Sequence, residues 1–273
     1  MNLDTYFARI GYTGPRGPTL ETLRALALRQ PQAIAFENLA VVAGGVPEIG
    51  LEAVADKLLG AQRGGYCYEH NTLLQAVLAA LGFQVTAHLA RVRYQLPADF
   101  VMERGHMLLR VDLPEGRYIV DAGFGGLTLT APVALQLNDV QPTPHEDLRF
   151  VLADADYRLQ VRFGAAWSDV YQFDLGPQLP ADILPQNWFT ATRPGALFRD
   201  NVVVTRPVPG GRYALFNQVL TWRPLGAAPE RRKIAGAAAL AAVLREVFGL
   251  NVPEHEVAIA AEVAAKAALQ MDF

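Results

Sequence analysis

The hydrophobic period of this chain changes near Phe83, and that change limits the architectures open to it. Before it, apolar residues recur at helical spacing. Leu20, Leu23 and Ala27 do so in TLETLRALALRQ, behind Thr19 as N-cap, and Val54, Leu58 and Leu59 do so in LEAVADKLLGAQ. A third helix starts near Cys67 and carries Leu73, Leu74, Val77, Leu78 and Leu81 on one stripe, with Gly82 as its stop. After Phe83 the period falls to two in QVTAHLARVRY, HMLLRVDL, RYIVDAGF, LRFVLADADYRLQVRF and SDVYQFDL, which predicts an antiparallel sheet or small barrel across about 84–175. Pro177, Pro180, Pro185 and Pro194 interrupt residues 176–200, and that density predicts a crossing segment rather than a packed element. NVVVTRPVPGGRYALFNQVLTWRP then reads as a hairpin or meander around Gly210 and Gly211, and two alanine-rich helices near 233–248 and 254–269 follow. Helices first, strands next and a mixed remainder describe an α+β chain.

A length of 273 residues exceeds what one compact core usually carries, and the hydrophobic fraction of 51% is enough for two or three packed units. The formal net charge of −3 supplies no field toward nucleic acid or anionic lipid, so a small, near-neutral partner is expected. One cysteine forms no internal disulfide, and MNLDTYFARIGY lacks the basic and apolar regions of a signal peptide, so a cytoplasmic location is expected. Apolar stretches such as KIAGAAALAAVL are too short and too closely flanked by charge to predict a membrane span.

That single cysteine stands in RGGYCYEHN, residues 63–71. Cys67 follows Gly64 and Gly65 at the predicted start of a helix, where unpaired N–H groups and the helix dipole favour an anion, and the thiolate is the reactive form of a thiol. The glycines permit either close backbone approach or positive φ. Of the five histidines, His145 in a proline-rich loop and His255 in a charged first helical turn read as solvated. His88 reads as a core histidine, and His70 lies one turn beyond Cys67 on the same helix. His106 differs. If Pro114 and Glu115 form a hairpin tip, Leu113 pairs with Gly116, and Asp121 becomes the diagonal neighbour of His106 on the same face. A one-residue slip would separate them. The arrangement so reached is a Cys–His–Asp triad, with Cys67 as nucleophile, His106 as proton carrier and Asp121 fixing the imidazole tautomer. It specifies acyl chemistry and leaves the acceptor open: water, a peptide amide or a small amine.

YFARIGYTGP, AFENL at 35–39, RGGYCYEHN, GHMLLRV at 105–111, YIVDAGFGG at 118–126 and NWFTATRPGALF at 187–198 together resemble the arylamine N-acetyltransferase family along nearly the whole chain. The resemblance implies a helical bundle over 1–83 carrying the nucleophile, a central antiparallel β-barrel over 84–190 carrying His106 and Asp121, and an α/β lid over 191–273. It implies ping-pong chemistry in which acetyl-CoA acetylates Cys67 and an arylamine or arylhydrazine then takes the acetyl group, with no metal. It also points to Phe36, Phe124 and Phe198 as substrate-binding aromatics, to Gly125 and Gly126 beside the CoA arm, and to Arg9, Glu37 and Arg63 as a charge network behind the cysteine helix. Gly123 belongs to the same glycine run. Ala35, Ala122 and the run Arg193, Gly195, Ala196 depart from the common family pattern, which bears on the shape of the acceptor pocket.

An amide synthase of the same fold, acting on a longer polyketide acyl chain, is the alternative the triad does not separate. A thiol hydrolase and a ligand-holding protein without turnover are the other readings. Oligomeric state is not legible.

Overall fold

The computed structural model describes residues 1–97 and 99–270. The N-terminal part is helical, with segments Leu3–Arg9, Leu20–Ala33, Leu39–Val42, Leu51–Ala55 continuing as a π-turn over Asp56–Gly60, and Cys67–Ala80. Thr19 caps the second helix, its Oγ1 accepting the Thr22 N–H at 3.2 Å. The stripe Leu73, Leu74, Val77 and Leu78 is fully buried, against Leu23, Leu26 and Tyr6 of the earlier helices on one side and Leu109 and Val111 of the following sheet on the other. One apolar core therefore joins the helices to the sheet.

That sheet has eight strands, ordered Val133–Ala134, Gly116–Val120, His106–Leu113, Gln84–Val92, Ala166–Phe173, Asp156–Phe163, Asp147–Ala153 and Gln141–Pro142, all antiparallel. Its two edge strands approach each other, since the Gln141 side chain accepts from Ala134 N at 2.6 Å and donates to Ala134 O at 2.8 Å. The result is a nearly closed barrel filled by Leu108, Ile119, Phe150, Leu159, Tyr171 and Phe173. The hairpin register is Leu113 opposite Gly116, and regular pairing runs to Leu109 opposite Val120. This carries Asp121 beyond the last paired residue, beside the start of the His106 strand.

A second sheet has the order Phe36–Glu37, Val203–Val208, Gly211–Phe216, Val219–Pro224 and Glu230–Lys233, and the helices Ala237–Glu246 and Glu254–Gln270 pack on it. Its first strand comes from the N-terminal helical part, with Phe36 opposite Thr205 and Glu37 opposite Val204. No helix among the described residues is long and apolar enough to cross a membrane.

Residues 176–200 correct the sequence reading. Instead of an unpacked crossing, they contain the helix Pro180–Thr192. Pro180 sits at the first helical position, where a missing N–H costs nothing, and the Asp182 carboxylate accepts the Leu179 N–H at 2.9 Å. Pro185 interrupts one backbone bond, yet Ile183, Asn187 and Ala191 still form a buried face. Tertiary burial outweighs the local breaker.

Candidate active site

The turn before Cys67 is built for close contact. Gly64 and Gly65 do not take positive φ. A Cβ on Gly64 would fall 2.2 Å from the Ala35 carbonyl oxygen, so this backbone lies directly on its neighbour. The Glu69 carboxylate reaches back to accept the Tyr66 N–H at 3.0 Å, closing the first turn of the helix. On the other side, a Cβ on Gly123 would fall 2.6 Å from Cys67 Cα, so the turn after Asp121 touches the start of the Cys67 helix without an intervening side chain.

Paired charges lie behind this turn. Arg63, 7% exposed, donates to Glu37 at 2.9 Å and to Glu256 at 2.8 Å, and Lys57 lies 2.6 Å from Glu69. Burial works against charge on Glu37, but Lys57, Arg63 and the Leu39 N–H outweigh it and hold its carboxyl below the usual range. Burial likewise opposes charge on Lys57, and Glu37 and Glu69 overcome it, so the ammonium persists. Arg9, expected in this network, is elsewhere: it donates to the carbonyls of Leu58 at 3.2 Å and Ala33 at 2.9 Å. Lys57, Glu69 and Glu256 were not anticipated. Glu256 stands nearly two hundred residues from Arg63 in sequence, so no local pattern announces it.

In front of the turn, His106 Nε2 donates to Asp121 Oδ2 at 2.7 Å, and the imidazole and Cys67 line the same cleft. All three residues are buried. Desolvation disfavours an imidazolium here, but Asp121, by charge and hydrogen bond, together with Cys67, pushes the His106 pKa from its ordinary 6.5 up to about 10. The other Asp121 oxygen accepts from Asn71 Nδ2 at 3.0 Å and from Gly123 N at 2.9 Å. Asn71 also donates to the Met107 carbonyl at 2.7 Å and accepts the Ala122 N–H at 3.1 Å, which ties the helix to both strands of the hairpin. The sequence reading missed Asn71; its signal is the four-residue spacing from Cys67, one helical turn on the same face.

The remaining histidines divide. His70 is buried with Nε2 3.2 Å from the Ala35 carbonyl, and burial pushes its pKa down to about 4. His88 lies 3.0 Å from the Gly176 carbonyl, and His255 is exposed. His145, read as solvated, is instead half-buried: Nδ1 meets Thr130 Oγ1 at 3.0 Å and Nε2 faces the Val208 and Gly211 carbonyls. Beside it Glu146 pairs with Arg212 at 2.7 Å, so this loop fastens the barrel to the second sheet.

Cys67 and His106 open on a cleft of about 490 Å³. Phe36, Phe124 and Phe198 line it, as do Gly125 and Gly126. Phe124 meets the imidazole edge-on at 4.9 Å, and Phe36 packs on Phe198 at 5.5 Å. Thr190 and Arg193, from the end of the helix that was read as a crossing, also line the cleft, and Arg193 lies 3.6 Å from Glu103. A buried thiol sharing a cleft with an imidazole that a carboxylate orients is equipped to form and release an acyl thioester.

A family profile described as N-acetyltransferase matches residues 19–257. The arylamine N-acetyltransferase of Escherichia coli K12 is 39% identical over 253 residues, covering 92% of this chain and 90% of that protein. The arylamine N-acetyltransferase / N-hydroxyarylamine O-acetyltransferase of Salmonella typhimurium is 39% identical over 252 residues, covering 92% and 89%. Among solved structures, that of Mycobacterium marinum arylamine N-acetyltransferase superposes with a TM-score of 0.93 at 34% identity, covering 96% of this chain and all of the other. The same Mycobacterium marinum protein in complex with CoA gives a TM-score of 0.92 at 34% identity, covering 96% and 99%.

Proposed function

The chain belongs to the arylamine N-acetyltransferase family, and on that premise we propose that it moves an acetyl group from acetyl-CoA to an arylamine or arylhydrazine through a thioester on Cys67. The observation that carries this reading is the convergence of Cys67, His106 and Asp121 at a cleft lined by aromatic rings. The Cys67 thiolate attacks the thioester carbonyl, the tetrahedral intermediate collapses, and CoA leaves with the proton from His106. The backbone N–H of Cys67, at the helix start, is the candidate donor to the oxyanion. The amine then attacks the acetyl-cysteine, His106 takes its proton, and the thiolate is restored. A thioester resists water far better than it resists an amine held in line.

Phe36, Phe124 and Phe198 would hold the aryl ring, and Gly125, with φ of 79°, and Gly126 leave room for the CoA arm along the backbone. The triad needs no metal in this scheme. The division 1–83, 84–190 and 191–273 stands as part of the same proposal, with one strand of the first part completing the sheet of the third. A reducing cytoplasm suits a nucleophile that is the chain's sole thiol.

Intact mass spectrometry tests the scheme. One acetyl group should appear on Cys67 after mixing with acetyl-CoA alone, persist, and leave when an aryl hydrazine is added. Adduct formation only with a longer acyl-CoA would favour the amide synthase, and CoA release without a lasting adduct would favour hydrolysis.

A further inference from the structure

Two side chains converge on one backbone carbonyl beside the reacting pair. Tyr68 follows the nucleophile and Gly105 precedes the proton carrier. The Tyr68 hydroxyl donates to the Gly105 carbonyl oxygen at 2.9 Å, and Cys67 Sγ lies 4.0 Å from the same oxygen. This bond joins the helix that carries the sulfur to the segment leading into the strand that carries the imidazole, through residues directly adjacent in sequence to each reacting group. The third element present is the helix Pro180–Thr192, whose Thr190 Oγ1 lies 3.4 Å from the Tyr68 hydroxyl and which lines the cleft.

Tyr68 is fully buried and its ring packs edge-on against Tyr66 at 5.3 Å, so the hydroxyl has little freedom to seek another partner. Burial, and then the neighbouring Cys67, hold the phenol above its ordinary value, which keeps it a donor. A lone pair left bare on the Gly105 carbonyl would face the sulfur and oppose negative charge there; the hydroxyl occupies it.

We propose that Tyr68 is a positioning residue for acyl transfer: its hydroxyl, anchored on the Gly105 carbonyl, sets the approach of Cys67 to His106. The inference rests on the acetyltransferase reading for its rate measurement, and on the geometry alone for its second measurement. The ionisable groups around the pair include Asp121 and Tyr171 against the imidazole, Tyr66 beside Cys67 and Tyr68, and Glu103 toward Tyr68. Tyr68→Phe leaves all of them in place and keeps the ring packing.

The experiment compares wild type and Tyr68→Phe in the full chain. The first readout is the rapid-quench rate of Cys67 acetylation by acetyl-CoA; the second is the pH dependence of Cys67 alkylation by iodoacetamide. The expected result is an acetylation rate about tenfold lower with the KM for acetyl-CoA unchanged, and an alkylation profile displaced on its acid limb, because both depend on the sulfur–imidazole geometry. A merely structural hydroxyl would lower thermal stability and leave both readouts where they were; acetylation within twofold of wild type with an unmoved alkylation profile overturns the proposal. If wild type itself is not acetylated, the proposed function fails, and the alkylation profiles still decide the role of Tyr68.

Discussion

The two sides of Cys67 are built on opposite principles. Behind it, residues 63–66 are pinned by glycine backbone contacts and by buried ion pairs that link Arg63 to Glu37 and Glu256, and Lys57 to Glu69. In front, the thiol faces a cleft with many aromatic and aliphatic side chains in its walls, interrupted by polar groups that include His106, Glu103, Thr190, Arg193 and Arg223. Charged pairs demand particular partners and geometry, whereas apolar walls accept many shapes. The back therefore fixes the position of Cys67, and the front leaves a largely apolar cleft open before it.

The sharpest way to break this contrast is at the seam between the two sides. Asp121→Asn keeps the shape but removes the anion that orients the imidazole, and kcat should fall by about 10³-fold or more with acetyl-CoA KM little changed; steady-state kinetics within a few-fold of wild type would take Asp121 out of the proton-handling set. On the back, Arg63→Ala leaves Glu37 and Glu256 without their shared cation and should destabilise the fold by about 3–5 kcal/mol, read from urea unfolding. A loss below about 1 kcal/mol would show that the network behaves like exposed surface pairs.

Acid should expose the back next. The folded-state pKa of His70 is about 4 against an ordinary 6.5, so between these values the unfolded chain takes up a proton that the folded chain refuses. Stability supported by neutral His70 is present above pH 6.5 and lost as pH falls toward 4, by about 3 kcal/mol at most. His106 has the reverse sign: its contribution is complete below pH 6.5 and lost as pH rises through about 10. Urea denaturation at pH 7 and pH 4.5 should show a smaller acid loss in His70→Gln than in wild type; equal losses would assign the acid sensitivity elsewhere. On the front, Phe198→Ala should raise the KM for an aromatic acceptor about tenfold while Cys67 acetylation stays within twofold. An equal drop in both half-reactions would mean that this wall also positions the nucleophile.

Much of the site lay open in the residues because its parts are local. Cys67 at a helix start, its glycine turn and the His106–Asp121 hairpin each need only short spacings and a register that the Pro114–Glu115 tip determines. Asn71 was equally local and was overlooked. Arg9 was misplaced because a lone arginine carries no record of whether it will meet a carboxylate or a carbonyl. His145 was misread for a similar reason: a proline-rich loop looks solvated until another sheet covers it.

The residues alone therefore determined the succession of a helical, a β and a mixed part, the hairpin register and the meeting of His106 with Asp121, since periodicity, turn residues and nearest-neighbour sterics act over a few positions. Tertiary structure decided that Pro180–Thr192 is a helix against its own prolines, that Phe36–Glu37 leaves the helical part to complete the second sheet, and that Glu256 closes the charge network behind the nucleophile. Each of those outcomes is a balance between local preference and burial against a distant segment, and that balance exists only once the distant segment has arrived.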